Sequence, residues 1–127
     1  MIHFIILFSG KRVVLDTPTR LKKKMVGPKF VTHPHNRVVD EGDTVKFTCS
    51  VAGNPEPLVQ WDRHGRLIRA DGRLDLVDRE DLHSLVIRDV MPSDAGLYTV
   101  TVTNCIGRVY ATAKLDVVGE FDRIFSP

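Results

Sequence analysis

From Thr44 to Val51 the chain alternates without a break, with Val45, Phe47, Cys49 and Val51 on one side and Thr44, Lys46, Thr48 and Ser50 on the other. Successive side chains of an extended strand point to opposite faces, so this pattern predicts a strand with one buried face. Shorter runs of the same kind recur between residues 28 and 118, each bounded by turn residues. Pro28-Lys29-Phe30-Val31 opens a first strand, and Pro34 breaks it so that Arg37-Val38-Val39 can pair elsewhere. Glu41-Gly42-Asp43 reads as a turn and Asn54-Pro55-Glu56-Pro57 as a rigid loop. Val59-Gln60-Trp61 is a strand ended by the turn at His64-Gly65. Runs 73–77 and 82–88 follow, joined by the charged turn Arg79-Glu80-Asp81, and the last pair, 97–104 and 108–117, meets at Cys105-Ile106-Gly107. No helical period and no internal repeat is visible. The pattern predicts an all-β sandwich of seven or eight short strands.

The chain divides into three zones: an apolar tip and basic leader over 1–27, poorly patterned and without predicted order; a patterned body over 28–118; and a tail over 119–127. The net charge of +2 hides an asymmetry. Residues 11–24 hold Lys11, Arg12, Arg20, Lys22, Lys23 and Lys24 against Asp16, a net of +5, while the remaining residues carry 12 basic and 15 acidic side chains, a net of −3. The body therefore offers no electrostatic case for nucleic acid. Arg20, Lys22, Lys23 and Lys24 form a candidate electrostatic contact, weighed against a plain solvated linker. The tip, Met1 to Phe8, lacks a preceding Lys or Arg, contains a His, and ends in Leu7 and Phe8 where a cleavage site needs small residues. It reads as a strand fragment or a start within a longer polypeptide rather than a secretory leader, and it is too short to span a bilayer.

Chemistry-bearing patterns are few. His33-Pro34-His35 presents two imidazoles, but no cysteine or third histidine stands at ligand spacing, so exposed edge histidines are expected. Asp78, Glu80 and Asp81 crowd one turn and read as solvated acids rather than a calcium site. No nucleophile elbow, phosphate loop, zinc-protease or kinase motif is present. A non-catalytic chain without cofactor or metal is expected.

Cys49, Trp61 twelve residues later, Leu85-Val86-Ile87, Val90 and Asp94-Ala95-Gly96-Leu97-Tyr98 together resemble the intermediate-set immunoglobulin-like domain, a two-sheet Greek-key β-sandwich. The loops Asn54 to Pro57, Trp61 to Gly65 and Asn104 to Gly107 are similar to those of such domains in giant muscle and cytoskeletal proteins: titin, twitchin, obscurin and myosin light chain kinase. The resemblance implies structural roles. Trp61 packs on Cys49 in the core with Leu85 and Ile87. Tyr98 forms a tyrosine corner with the acidic Asp94, for which Arg73 is a plausible partner, and Gly96 sits at a bend where a side chain would clash. It also exposes a departure, because Val100 stands where the family usually carries its second cysteine. Cys105 lies five residues on, hence on the opposite face and about 16 Å along a strand, beyond the roughly 7 Å a disulfide allows between Cα atoms. Both cysteines are expected as free thiols, Cys49 buried and Cys105 near a turn, where a redox-sensor role is weighed and set aside because only Arg108 lies nearby.

A secreted domain of this size normally keeps its bridge, and Asn36, Asn54 and Asn104 all fail the glycosylation pattern. The resemblance with these two signals implies a cytoplasmic module of a larger sarcomeric or cytoskeletal protein, acting as mechanical spacer and docking surface. Its expected partners are proteins, including neighbouring immunoglobulin-like or fibronectin-type domains, and the sequence assigns no oligomeric state. Two alternatives stay open: an extracellular adhesion or receptor domain with a cleaved leader, and an accessory domain of a muscle-type kinase.

Overall fold

The computed structural model describes residues 24–119, together with the backbone of two strands ahead of them, β1 (His3–Phe8) and β2 (Lys11–Asp16). These two pair antiparallel, from His3 with Asp16 to Phe8 with Lys11. The sandwich follows. Its strands are β3 (Val26–Thr32), β4 (Arg37–Asp40), β5 (Val45–Asn54), β6 (Leu58–Arg63), β7 (Arg66–Leu67), β8 (Leu74–Arg79), β9 (Leu82–Ile87), β10 (Gly96–Thr103) and β11 (Arg108–Val118). A 3₁₀ turn, Pro92–Asp94, precedes β10. β3 begins just ahead of the boundary placed at residue 28.

Two sheets form. One has the order β4-β11-β10-β6-β7 and the other β3-β5-β9-β8. The other neighbours are all antiparallel, three of them hairpins (β6–β7, β8–β9 and β10–β11), whereas β4 joins β11 in parallel, pairing Arg37 with Leu115 through Asp40 with Val118. Pro34 is what permits this. It ends β3 on the second sheet and lets the next residues cross to the first.

The alternation in β5 fixes the core. Val45, Phe47, Cys49 and Val51 are buried and meet Trp61, Tyr98, Val100, Val102, Ala113 and Leu115 from the facing sheet, with Leu85, Ile87 and Val90 beside them. Phe47 lies 5.4 Å from the Tyr98 ring and 6.5 Å from Trp61 between centroids, tilted against both. Burying such side chains contributes roughly 1.5–3 kcal/mol each. Ser50, on the polar side of the pattern, is buried as well. Its N–H donates to Thr32 Oγ1 at 2.9 Å and its hydroxyl to Asp81 Oδ2 at 2.9 Å, which removes the cost of burying it.

The pattern overlooked β7. Two residues are too short to show a period, yet His64 and Gly65 both take positive φ, 53° and 74°, the geometry of a two-residue hairpin that turns β6 back on itself.

Candidate functional site

The densest polar constellation lies where β8, the 3₁₀ turn and β10 converge. Arg73 Nη1 and Nη2 donate to Asp94 Oδ2 and Oδ1 at 2.7 and 3.0 Å, a bidentate pair with the carboxylate almost fully buried. The Met91 N–H donates to the same Oδ2 at 2.7 Å. Burial opposes ionisation of Asp94, but Arg73 and the Met91 N–H overcome it and hold the carboxyl below the usual range. The Tyr98 hydroxyl donates to the Asp94 carbonyl at 2.6 Å, closing the corner, and burial raises its pKa. Gly96 has a φ of 139°, which L side chains rarely adopt. Space is not the constraint expected there: an added Cβ would lie 3.6 Å from the nearest atoms, in ordinary contact.

Sequence reasoning missed Arg63. Its guanidinium lies 5.4 Å from the centre of the Tyr98 ring, and Nη2 donates to the Ser93 and Ala95 carbonyls at 2.6 and 2.7 Å. No local sequence signal marks it; the β6–β10 register, which sets Arg63 opposite Tyr98, is what brings it there. The role of Asn104 was missed as well. Its side chain donates to the Val26 and Pro55 carbonyls and accepts from the Ile106 and Gly107 N–H groups, tying the start of β3 and the loop at Pro55 to its own turn.

Cys49 and Val100 are both fully buried in the same core, from opposite sheets. Burial, with a smaller contribution from the Asp78 charge, pushes the Cys49 thiol up to about 11. Cys105 is exposed in the turn between β10 and β11, and both are free thiols. Arg20, Lys22 and Lys23 lie outside the described residues. Lys24 is exposed, and its carbonyl accepts from Asn54 Nδ2 at 2.8 Å.

The other clusters are occupied by structure. His33 stacks on Phe30 at 5.0 Å and His35 is exposed. Asp78 pairs with His83 of β9 at 2.6 Å, and Asp81 accepts from Ser50 of β5, so these two acids tie the turn to the neighbouring strands. Among the described residues no group of three metal-ligating side chains gathers, and no helix is long and apolar enough to cross a membrane. The geometry is that of a two-sheet sandwich with open strand edges.

Comparison with known proteins agrees with this geometry. The immunoglobulin I-set domain model matches residues 28–117. Smooth muscle myosin light chain kinase of Gallus gallus is 37% identical over 92 residues, which is 72% of this chain and 5% of the kinase. Myotilin of Homo sapiens is 34% identical over 113 residues, 88% of this chain and 23% of myotilin. The chain thus spans a small part of the curated relatives it matches. Among solved structures, a chain in the complex of titin M10 with the obscurin-like 1 Ig domain superposes with a TM-score of 0.73 at 31% identity, covering 74% of this chain and 96% of that one. The sandwich, the corner and the matched stretch agree, and the chain belongs to the immunoglobulin I-set family.

Proposed function

We propose that this chain is a non-catalytic module of a larger muscle or cytoskeletal protein, a mechanical spacer that also docks other proteins, within the reducing interior of the cell. The observation that carries the reading is the parallel pairing of β4 with β11. In parallel neighbours, the start of one and the end of the other lie at opposite ends. A pull along the chain therefore slides β4 past β11 and loads their hydrogen bonds together rather than one at a time. The relatives in muscle proteins support the setting, and the titin and obscurin-like complex supports protein docking as a use of this fold. Val100 in place of a second cysteine supports the compartment, since a small secreted domain gives up roughly 2–5 kcal/mol without its bridge.

Single-molecule pulling tests this. The chain spliced between handles should unfold in one high-force step, and Val39→Pro, which restrains β4 and removes a ladder donor, should lower that force. Gradual unzipping at low force in the unmodified chain would sink the spacer. The identity with a kinase supports a second reading, the same module as an accessory domain whose enzyme lies elsewhere in the parent.

A further inference from the structure

β7 is the outer strand of its sheet and β8 the outer strand of the other, so the sandwich opens between them along residues 63–74. A groove of about 710 Å³ occupies this opening, within the range of roughly 300–1,000 Å³ typical of clefts that bind ligands. Leu67, Ile68 and Leu74 supply its apolar surface, and His64, Arg66 and Arg69 its basic rim. Leu67 is half exposed.

The charge on this rim is not consumed internally. Arg66 and Arg69 are exposed and form no ion pair among the described residues, whereas Arg63 and Arg73 on either side are bound into the corner. The one acid in the lining, Asp71, has its Oδ1 tied to the Arg73 and Leu74 N–H groups, both at 2.7 Å, and its charge is outnumbered by the guanidinium groups of Arg63, Arg66 and Arg69. A net negative body thus carries a local positive groove beside two strand edges.

We propose that this groove docks an extended acidic peptide segment of a partner protein, its carboxylates on Arg66 and Arg69 and an aliphatic side chain on Leu67, Ile68 and Leu74. Guanidinium groups take carboxylates bidentately, and an open strand edge offers backbone groups to an extended chain. No Phe, Tyr or Trp lines the groove as a platform for base stacking, which favours peptide over nucleic acid. The groove rests on the docking half of the function proposed above, not on the spacer half.

The test uses the whole chain and a fluorescein-labelled dodecamer of Glu and Leu, followed by anisotropy. Arg66→Glu/Arg69→Glu should weaken binding about tenfold or more, a Gln-for-Glu peptide should bind correspondingly weakly, and salt should weaken the complex. Amide shifts should centre on residues 63–74, and unchanged melting and Trp61 emission show that the variant folds. Three results would overturn the groove: no binding by the unmodified chain, equal binding by the double variant, or tighter binding of a single-stranded oligonucleotide or phosphatidylserine vesicles than of the peptide. The two readings fail separately. Low-force unzipping removes the spacer and leaves the groove, whereas a double variant that keeps the peptide removes the groove and leaves the module free to dock elsewhere.

Discussion

Arg63 and Arg73 flank Arg66 and Arg69 in the chain, yet the two pairs meet opposite surroundings. Arg63 is committed to the Ser93 and Ala95 carbonyls and the Tyr98 ring, and Arg73 to both oxygens of Asp94. Arg66 and Arg69 face the open groove. A guanidinium bound to acceptors of the fold, as Arg73 is to the buried Asp94 carboxylate, stabilises it, and removing it strands those acceptors. A guanidinium on a rim contributes little to folding and is available to a partner. The same residue type in one short stretch thus separates what holds the domain together from what it can offer.

The sharpest way to break this contrast is Asp94→Ala. It unpairs Arg73 and the Met91 N–H together, and should cost about 3 kcal/mol, the low end for breaking a buried pair, because Arg73 can still reach some water. Denaturant titrations at neutral pH would read it. The loss should also depend on pH. The carboxyl is held below its usual range, so its contribution is complete above pH of about 4 and disappears as acidification passes through the lowered value in the folded state. The difference between Asp94→Ala and the parent should therefore shrink on acidification. A gap that stays constant to low pH would mean the corner does not draw on the charge.

This contrast marks what the sequence could reveal. The alternation of Val45, Phe47, Cys49 and Val51 carries its own period, and the family resemblance carried by Cys49, Trp61 and Tyr98 implies that they share one core, so the sandwich was legible in the sequence. Pro34 likewise announced the strand switch that sends β4 to β11. Arg63 was not readable as a corner residue, because nothing in Trp61-Asp62-Arg63 distinguishes a side chain folded over Tyr98 from one in water. The groove was hidden for a related reason. It exists only because β7 and β8 end their separate sheets on the same side, and sheet order is not written in local periodicity. Asp78, Glu80 and Asp81 were legible as a cluster, but Asp78 was not legible as the partner of His83 nor Asp81 as that of Ser50, because His83 and Ser50 come from neighbouring strands.

The two cysteines extend the contrast from charge to reactivity. Cys49 ionises only near 11, so above pH of about 9 the unfolded chain loses its thiol proton while the folded chain keeps it. Stability should fall between these values, by about 2 kcal/mol at pH 10.5, and Cys49→Ala should flatten that slope. In the native state at neutral pH, iodoacetamide should label Cys105 alone, with the second label appearing only on denaturation. Two fast labels would show that the core opens around Cys49.

Tyr98→Phe is a finer probe of the corner, since it keeps the ring against Phe47 and Arg63 and removes only the hydroxyl. The lost hydrogen bond to the Asp94 carbonyl should cost about 1 kcal/mol. In a double-mutant cycle, Tyr98→Phe and Asp94→Ala should be non-additive, because the hydroxyl and the Arg73 pair position the same turn. Additive losses would separate the two halves of the corner.

The smallest expected effect on stability belongs to the rim. Arg66→Ala and Arg69→Ala remove exposed groups with no ion pair among the described residues, so each should change stability by no more than about 0.5 kcal/mol. Arg63→Ala is the matched control from the same stretch. It leaves the Ser93 and Ala95 carbonyls without their donor and should cost several times more. Three thermal melts under one buffer decide the matter. If Arg66→Ala or Arg69→Ala destabilises as much as Arg63→Ala, the rim arginines belong to the architecture, and the groove they border has no charge left for a partner.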